Sequence, residues 1–179
     1  MKKNLLFCSL VIAAFGFTSC SSDDDNNNNN DVEIEGTYHL TEVNTEDATD
    51  FDQDGTPHIN QMDESDCYDE GRITLNADNT FTYVMTGILV DETAGTAGCA
   101  EDNTVSGTWE IVEGVGEDAI IEATYEDNNG DNETITLTKQ GDRLTLMDDN
   151  IFSEYADRND EGAAIYTLGS TEYVFEKNN

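Results

Sequence analysis

Basic residues are scarce in this chain. Of its 179 residues only 7 are Lys or Arg, against 40 Asp or Glu, and the formal net charge is −33. Nucleic acid is therefore excluded as a partner, because phosphate binding needs clustered Lys and Arg. Self-repulsion at this charge destabilises a compact state, so bound cations or high salt should favour folding. Adaptation to a salty medium explains the acidic surface more simply than an acidic docking face does.

Catalytic motifs and long helical patterns are lacking as well. Proline occurs once, and the two histidines, His39 and His58, have no serine or free cysteine near them in a recognisable nucleophile motif. Carboxylates are so abundant that the spacing between any two of them carries no information. We therefore expect a protein that is not an enzyme.

An apolar run is found at the N-terminus. Lys2 and Lys3 precede the apolar segment 5–17, and two small residues then precede Cys20. A run this short is typical of a secretory signal, because a membrane-spanning helix needs about 20 residues. The arrangement resembles a bacterial lipobox, which implies that residues 1–19 are a removed signal peptide and that Cys20 carries lipid. The alternative is an ordinary secreted protein cut nearby.

The segment that follows Cys20 is acidic and rich in asparagine. Residues 21–30 contain no apolar side chain, so nothing there offsets the entropy lost on ordering, and we predict a disordered tether over 20–32. Its Cys-Ser-Ser-Asp-Asp-Asp start resembles the export signal of Bacteroidota-type lipoproteins. That resemblance implies an outer membrane lipoprotein exposed at the cell surface and held to the membrane through its lipid. A plain acidic linker is the alternative.

Four cysteines are present, and their positions indicate one disulfide. Cys8 lies in the predicted signal peptide and Cys20 is the predicted lipid carrier, which leaves Cys67 and Cys99. Two remaining cysteines in an exported protein predict a disulfide. Closing a loop of this length is worth about 3 to 4 kcal/mol by the chain-entropy estimate. A metal site that combines the two cysteines with a histidine has no recognisable spacing.

The remaining residues, 33–179, are predicted to form one all-β domain. Short segments of alternating apolar and polar residues recur between Asn, Asp and Gly. The predicted strands are 34–40, 72–75, 80–90, 105–111, 119–125, 133–139, 144–146 and 173–175. Consecutive antiparallel strands with one apolar face close most simply into an up-and-down barrel of about eight strands. A β-sandwich is the alternative.

Two stretches fall outside this series of strands, 44–70 and 148–171. The second contains several large apolar residues, so we expect it to pack as a short helix or as a flap across one end of the barrel.

A family resemblance begins at Gly36-Thr37-Tyr38. The segment resembles the opening strand of lipocalin-like domains, whose signature is a glycine followed two positions later by tryptophan; tyrosine stands in that place here. Gly107-Thr108-Trp109 repeats the motif with tryptophan, and the segments 67–83 and 173–177 are also similar to bacterial lipocalin-like lipoproteins. The resemblance implies a barrel that binds a small apolar or amphipathic molecule.

Inward-facing residues would then form the wall of a ligand pocket. A barrel of this size either fills its interior with side chains or holds one small ligand, and both outcomes are open at this point. The candidate pocket residues are Tyr38, Phe81, Tyr83, Met85, Trp109, Ile121, Tyr125, Leu137 and Leu146. Tyr38 and Trp109 are expected mainly as plugs of the core, because the glycine before each ring lets the strand bend where the barrel closes.

An acidic loop is the sharpest local motif. Asp50, Asp52 and Asp54 alternate before a glycine, as in the first half of an EF-hand-type calcium loop. Thr56 would add its backbone carbonyl, and Asp63 or the neighbouring Glu64 would replace the acid missing from the twelfth position. The prediction is a calcium site that braces a structural or adhesion module. The alternative is a solvated loop that binds no metal.

Overall fold

The computed structural model describes residues 33–101 and 103–178, and these belong to one compact unit. The predicted signal peptide 1–19, the predicted lipidation site Cys20 and the tether 20–32 lie outside the described residues. Within the described ranges, no helix has the length and apolar character needed to span a bilayer.

Strands dominate the described residues. They are β1 (Gly36–Thr49), β2 (His58–Asn60), β3 (Arg72–Leu75), β4 (Thr80–Met85), β5 (Ile88–Asp91), β6 (Thr96–Cys99), β7 (Asn103–Val115), β8 (Asp118–Glu126), β9 (Asn132–Gln140), β10 (Arg143–Asp148), β11 (Glu154–Arg158), β12 (Ala164–Leu168) and β13 (Thr171–Lys177). Two short 3₁₀ helices, Gln61–Asp63 and Asp66–Tyr68, lie between β2 and β3.

Eight of the strands form a closed antiparallel barrel. Their order is β1-β3-β4-β7-β8-β9-β10-β13, and β13 pairs back onto β1 with Leu40 opposite Phe175. Each strand pairs with the strand that follows it in this order, so the predicted up-and-down barrel is confirmed. Closure leaves none of these eight strands with an unpaired edge, which a two-sheet sandwich would not achieve.

The alternation in the sequence explains which face of each strand is buried. On β8, for example, Ala119, Ile121 and Ala123 are buried and face inward, while the residues between them are less buried. The same period of two operates on β3 and β4, where Ile73, Leu75 and Phe81 belong to the core. Apolar area removed from water on these faces is the main force that closes the sheet.

Gly107 on β7 is required by close packing. It lies opposite Phe81 on one side and Tyr125 on the other, and those two rings meet edge to face with centroids 6.4 Å apart. A Cβ at this position would collide with the carbonyl oxygen of Thr124. Glycine therefore lets the strands approach while the aromatic neighbours fill the space that a side chain would occupy.

The barrel has two different ends. We call the end at Gly36, Gly116 and Gly141 the closed end, because tight turns there join β3 to β4, β7 to β8 and β9 to β10. We call the opposite end, where β4 and β10 finish, the mouth. Two hairpins are inserted at the mouth: β5–β6 between β4 and β7, and β11–β12 between β10 and β13.

One local prediction is wrong, and a second is correct in one of its two alternatives. The predicted strand 80–90 breaks after Met85, and Ile88 begins the separate β5–β6 hairpin. The stretch 148–171 contains no helix; it forms the β11–β12 hairpin at the mouth, in which Tyr155 and Ala156 pair with Thr167 and Tyr166, so the alternative of a flap at one end of the barrel holds.

Candidate functional site at the mouth of the barrel

The middle of the barrel is filled with side chains. Ile73, Ile121, Leu137, Leu144 and Phe175 have no exposed surface, so no water-sized sphere can reach them. A ligand cavity at this level would leave part of their surface accessible. The filled-core alternative therefore describes the middle of the interior.

The nine predicted pocket residues lie at different depths. Tyr38 and Trp109 are buried at the closed end, and Phe81, Ile121 and Leu137 pack in the middle. The residues nearest the mouth are Tyr83, which is buried, and Met85, Tyr125 and Leu146, which pack against the core while partly buried.

A cavity of about 210 Å³ lies at the mouth, above this packed core. It is bounded by the mouth ends of β1 and β13, by the second 3₁₀ helix and by the two inserted hairpins. Its lining residues are Val43, Thr45, Tyr68, Thr86, Gly87, Ile88, Glu154, Tyr155, Ala156, Tyr166, Thr171 and Tyr173. The nine residues predicted from alternation are not among them. The volume is below the 300 to 1,000 Å³ typical of sites for drug-sized ligands, so the cavity suits a smaller molecule.

The two hairpins are held together beside this cavity. The hydroxyl of Tyr166 on β12 accepts a hydrogen bond from the backbone N–H of Val90 on β5 at 3.1 Å. The N–H of Ala164 donates to the carbonyl of Gly95, between β5 and β6, at 3.0 Å. A carboxylate oxygen of Glu92 accepts from the N–H of Tyr166. The hairpins therefore form one continuous wall of the cavity.

A disulfide joins this wall to the barrel. Cys67, in the second 3₁₀ helix, is bonded to Cys99 at the end of β6. The predicted disulfide is confirmed. Because Tyr68 follows Cys67 directly, the bond also fixes the 3₁₀ helix that brings the Tyr68 ring to the cavity.

Buried phenols surround the cavity and lie beneath it. Burial raises the pKa of Tyr173 to about 12, with a further contribution from the Asp148 carboxylate. Burial likewise raises the pKa of Tyr68, and the nearby phenols of Tyr173 and Tyr166 add to the effect. Tyr83, just below, has its pKa raised by burial and then by Tyr173. These hydroxyls are therefore neutral at physiological pH and can donate as well as accept.

Three of these phenols have unused hydrogen-bonding capacity. Within the described residues, the hydroxyls of Tyr68, Tyr83 and Tyr173 make no hydrogen bond, and the one fully enclosed side-chain polar atom without a partner is Nε of Arg143. The three hydroxyls therefore reach open space. Polar groups at such depth are normally paired, so this end of the barrel is prepared for water or a ligand.

A larger depression lies outside the barrel near the closed end. It has a volume of about 500 Å³ and runs along β7, β8 and β9, between Glu113 and Gln140. It is a more open groove, with no aromatic residue in its lining. The mouth cavity is the better candidate site, because several elements enclose it and polar groups converge there.

Comparison with known protein families agrees with this architecture. Residues 34–146 match the lipocalin-like domain family. The chain belongs to that family. No curated protein and no solved structure matches the chain.

The matched range of the lipocalin-like domain ends within β10. The β11–β12 hairpin and β13 therefore lie beyond it, although β13 closes the barrel and both contribute tyrosines to the mouth cavity. Lipocalin-like proteins are generally non-enzymatic, and their barrel is a ligand-binding fold. Membership therefore supports binding as the function and leaves the ligand open.

The acidic loop lies between β1 and β2 of the lipocalin-like domain. Carboxylate oxygens of Asp50, Asp52 and Glu64 lie within 4.8 Å of one another. The other predicted ligands are arranged differently: Asp54 accepts from the N–H of Thr56 at 2.7 Å, and Asp63 is exposed. The structure thus brings together Asp50, Asp52 and Glu64, of which Glu64 is the second of the two residues suggested for the missing twelfth-position acid. Calcium binding here stays a prediction.

Glu64 organises this loop by hydrogen bonds. Its side chain is fully buried, and it accepts from the N–H of Phe51 at 2.7 Å and from Nδ1 of His58 at 2.6 Å. The hydrogen bond to Glu64 raises the pKa of His58. Arg158 of β11 lies over the Phe51 ring, 4.7 Å from its centroid, and donates to the Phe51 carbonyl. The loop is therefore tied to the β11–β12 hairpin.

Proposed function

We propose that this lipocalin-like protein binds one small apolar or amphipathic molecule at the mouth of its barrel. The observation that carries the proposal is the 210 Å³ cavity, which is enclosed by two mutually bonded hairpins and bordered by phenols with spare hydrogen-bonding capacity. The apolar part of the ligand would rest on Val43, Ile88 and Ala156. The filled middle of the barrel limits how deep it can enter.

Native mass spectrometry of the full-length protein, after mild extraction from its own membrane, tests this proposal. We expect a retained non-covalent small molecule. Ala156→Leu should reduce its occupancy, because the larger side chain enters the cavity. Ala97→Leu is the matched control, since Ala97 is exposed on β6. Two results together would overturn the proposal. The wild type would show only its ligand-free mass, and no small-molecule probe would shift the NMR signals of the residues at the mouth.

We further propose that lipid on Cys20 holds the protein at a membrane. The basic start, the short apolar run and the small residues before Cys20 support this. Metabolic labelling with an alkyne fatty acid should mark the wild type and Cys8→Ser but not Cys20→Ser. A labelled Cys20→Ser variant would contradict the proposal.

The proposed location is the outer membrane, with the domain facing outside. The acidic residues Asp23, Asp24 and Asp25 directly after the lipidation site support it. Protease added to intact cells should remove the wild-type domain and spare a variant with these three residues changed to Asn. If both are cleaved equally, the three acidic residues are not an export signal and the segment is a plain linker.

A second candidate function is a calcium-braced structural or adhesion module. The convergence of Asp50, Asp52 and Glu64 favours it, since calcium takes several carboxylate oxygens at about 2.3 to 2.6 Å. Calcium would compete with His58 for Glu64. Calcium should raise the Tm more than magnesium at equal ionic strength, and Asp50→Asn should abolish the difference while Asp63→Asn keeps it. Equal effects of both ions would remove this candidate.

A further inference from the structure

The charges around the mouth cavity are unevenly distributed. The described residues contain five Lys or Arg side chains, and none of them lines the cavity. Lys139 and Lys177 bond to backbone carbonyls at the closed end, and Arg143 begins β10 at that same end. Arg72 lies beside Glu70, and Arg158 is engaged by Phe51. Within the described part of the chain, no Lys or Arg side chain therefore lines the cavity to neutralise an anionic ligand.

Acidic groups, in contrast, are present at the cavity. Glu154, at the start of β11, lines it directly. The Asp148 carboxylate, at the end of β10, lies close enough to raise the pKa values of Tyr83 and Tyr173. A chain with net charge −33 adds a negative field over the whole surface, which attracts cations and repels anions.

Aromatic rings provide much of the remaining wall. Tyr68, Tyr155, Tyr166 and Tyr173 line the cavity from four different elements, the second 3₁₀ helix, β11, β12 and β13. The face of an aromatic ring carries negative potential and attracts ammonium groups. Several rings around one small space form the kind of cage that proteins use for methylated ammonium groups.

Two of the three threonines of the lining, Thr45 and Thr86, already use their hydroxyl hydrogens. The Thr86 hydroxyl donates to the carbonyl of Tyr68 at 3.2 Å, and the Thr45 hydroxyl donates to the carbonyl of Asp47 at 2.8 Å. Their oxygens can therefore only accept a further hydrogen bond. Acceptors of this kind favour a ligand that brings its own donors, or one that carries positive charge.

We propose that the mouth cavity recognises an organic cation, an amine or quaternary ammonium head group, held on the tyrosine faces with Glu154 as its counter-charge. This inference rests on the proposed function, because it assigns the ligand class of the same cavity. The apolar remainder of an amphipathic ligand would extend past Ile88 or out between the hairpins.

The test compares choline with its neutral isostere, in which carbon replaces the quaternary nitrogen. The two have nearly the same shape, so calorimetric titration of the full chain at constant ionic strength isolates the effect of charge. We expect choline to bind at least about tenfold more tightly. Equal or weaker binding of choline would overturn the cation assignment while leaving the small-molecule proposal standing.

Failure of both probes would also overturn the cation assignment as stated. The native mass spectrometry experiment then separates the two proposals. A retained uncharged molecule would preserve the binding function and reject the cation. A bare protein would reject both.

Variants distinguish the contribution of the tyrosine rings to choline binding from that of their hydroxyls. They also distinguish the charge of Glu154 from the negative charge of the whole chain. Tyr173→Phe should keep most of the preference for choline and Tyr173→Leu should lose it, because only the first retains a ring and the Tyr173 hydroxyl makes no hydrogen bond within the described residues. If Tyr173→Leu does not fold, the same pair at Tyr68 replaces it. Glu154→Gln should weaken choline binding several-fold without changing the affinity for the isostere. Glu161→Gln is the control, because it makes the same charge change at an exposed position between β11 and β12. If Glu161→Gln weakens choline binding equally, Glu154 is not the counter-charge.

Discussion

The two ends of this barrel treat buried polar groups in opposite ways. At the closed end, the Tyr38 hydroxyl donates to the Ile34 carbonyl at 2.7 Å, Nε1 of Trp109 donates to Asn76, and Nζ of Lys139 donates to the carbonyls of Gly116 and Gly141. At the mouth, the Tyr68 and Tyr173 hydroxyls make no such bond within the described residues. One end is therefore completed by the chain itself, whereas the other retains capacity for a ligand.

The packed middle of the barrel is what allows the two ends to differ. It separates the hydrogen-bonded residues of the closed end from the cavity at the mouth, so a change at one end need not alter the other. Four predictions test this division, in order of decreasing effect.

Removing a ring from the packed middle should have the largest effect. Phe175 has no exposed surface, and its ring lies edge-on to Tyr83 with centroids 5.9 Å apart. Phe175→Ala should lower the free energy of unfolding by about 3 to 5 kcal/mol, because it leaves a cavity. Urea unfolding measures this, with the exposed Leu168→Ala on β12 as the control. A loss below about 1 kcal/mol would show that the middle is loosely packed and that the ends are not separated.

Breaking the disulfide should affect the mouth selectively. Replacing Cys67 and Cys99 by Ser should lower the free energy of unfolding by about 3 to 4 kcal/mol, since the loop that they close is released in the unfolded chain. Hydrogen exchange should then accelerate more at Val90 and Ala164 than at Trp109. Uniform acceleration would contradict the division. Added reductant should reproduce the change in the wild type and do nothing to the double variant.

Sequence patterns predicted the barrel because alternation reports directly on burial. Phe81, Tyr83 and Ile121 face inward as expected, and the cysteine pair was deduced by elimination. The break after Met85 is visible in the sequence as a change of parity. On β3 and β4 the core residues Ile73, Leu75, Phe81 and Tyr83 are odd-numbered, but the core residues Ile88 and Val90 on β5 are even-numbered. A strand that keeps its pairing cannot change parity in this way without a bulge or a turn.

The candidate site could not be predicted from the same signal. Tyr68, Tyr155 and Tyr166 belong to stretches without a long alternation, and they meet only because two insertions fold over the same end of the barrel. Long-range hydrogen bonds such as Val90 to Tyr166 leave no periodic trace in the sequence. In the acidic loop, alternation of aspartates highlighted Asp54, whereas the buried Glu64 organises the backbone.

Removing one hydroxyl at each end compares the ends directly. Tyr38→Phe leaves the buried Ile34 carbonyl without its donor and should cost about 1 to 3 kcal/mol. Tyr173→Phe removes a hydroxyl with no partner among the described residues, so it should change the free energy of unfolding by less than about 0.5 kcal/mol. Chemical denaturation of the ligand-free protein measures both. Equal losses would mean that the mouth phenol has a structural partner and is not reserved for a ligand.

The smallest effect concerns pH and the loop beside the mouth. The hydrogen bond to Glu64 raises the pKa of His58 above its unfolded value of about 6.5. The protonated imidazole therefore contributes stability in full below about pH 6.5, and this contribution is lost as the pH rises through the higher folded pKa. The Tm should fall across that window for the wild type and for His39→Gln, which leaves the pair intact, whereas His58→Gln should flatten this part of the curve. Glu64 also accepts a hydrogen bond from the N–H of Phe51, and Arg158 of β11 lies over the Phe51 ring. Amide exchange in β11 should therefore show the same pH dependence. If the Tm of the wild type does not change with pH in this window, Glu64 does not stabilise the protonated form of His58. The loop would then be tied to the β11–β12 hairpin without a contribution from the charge of His58.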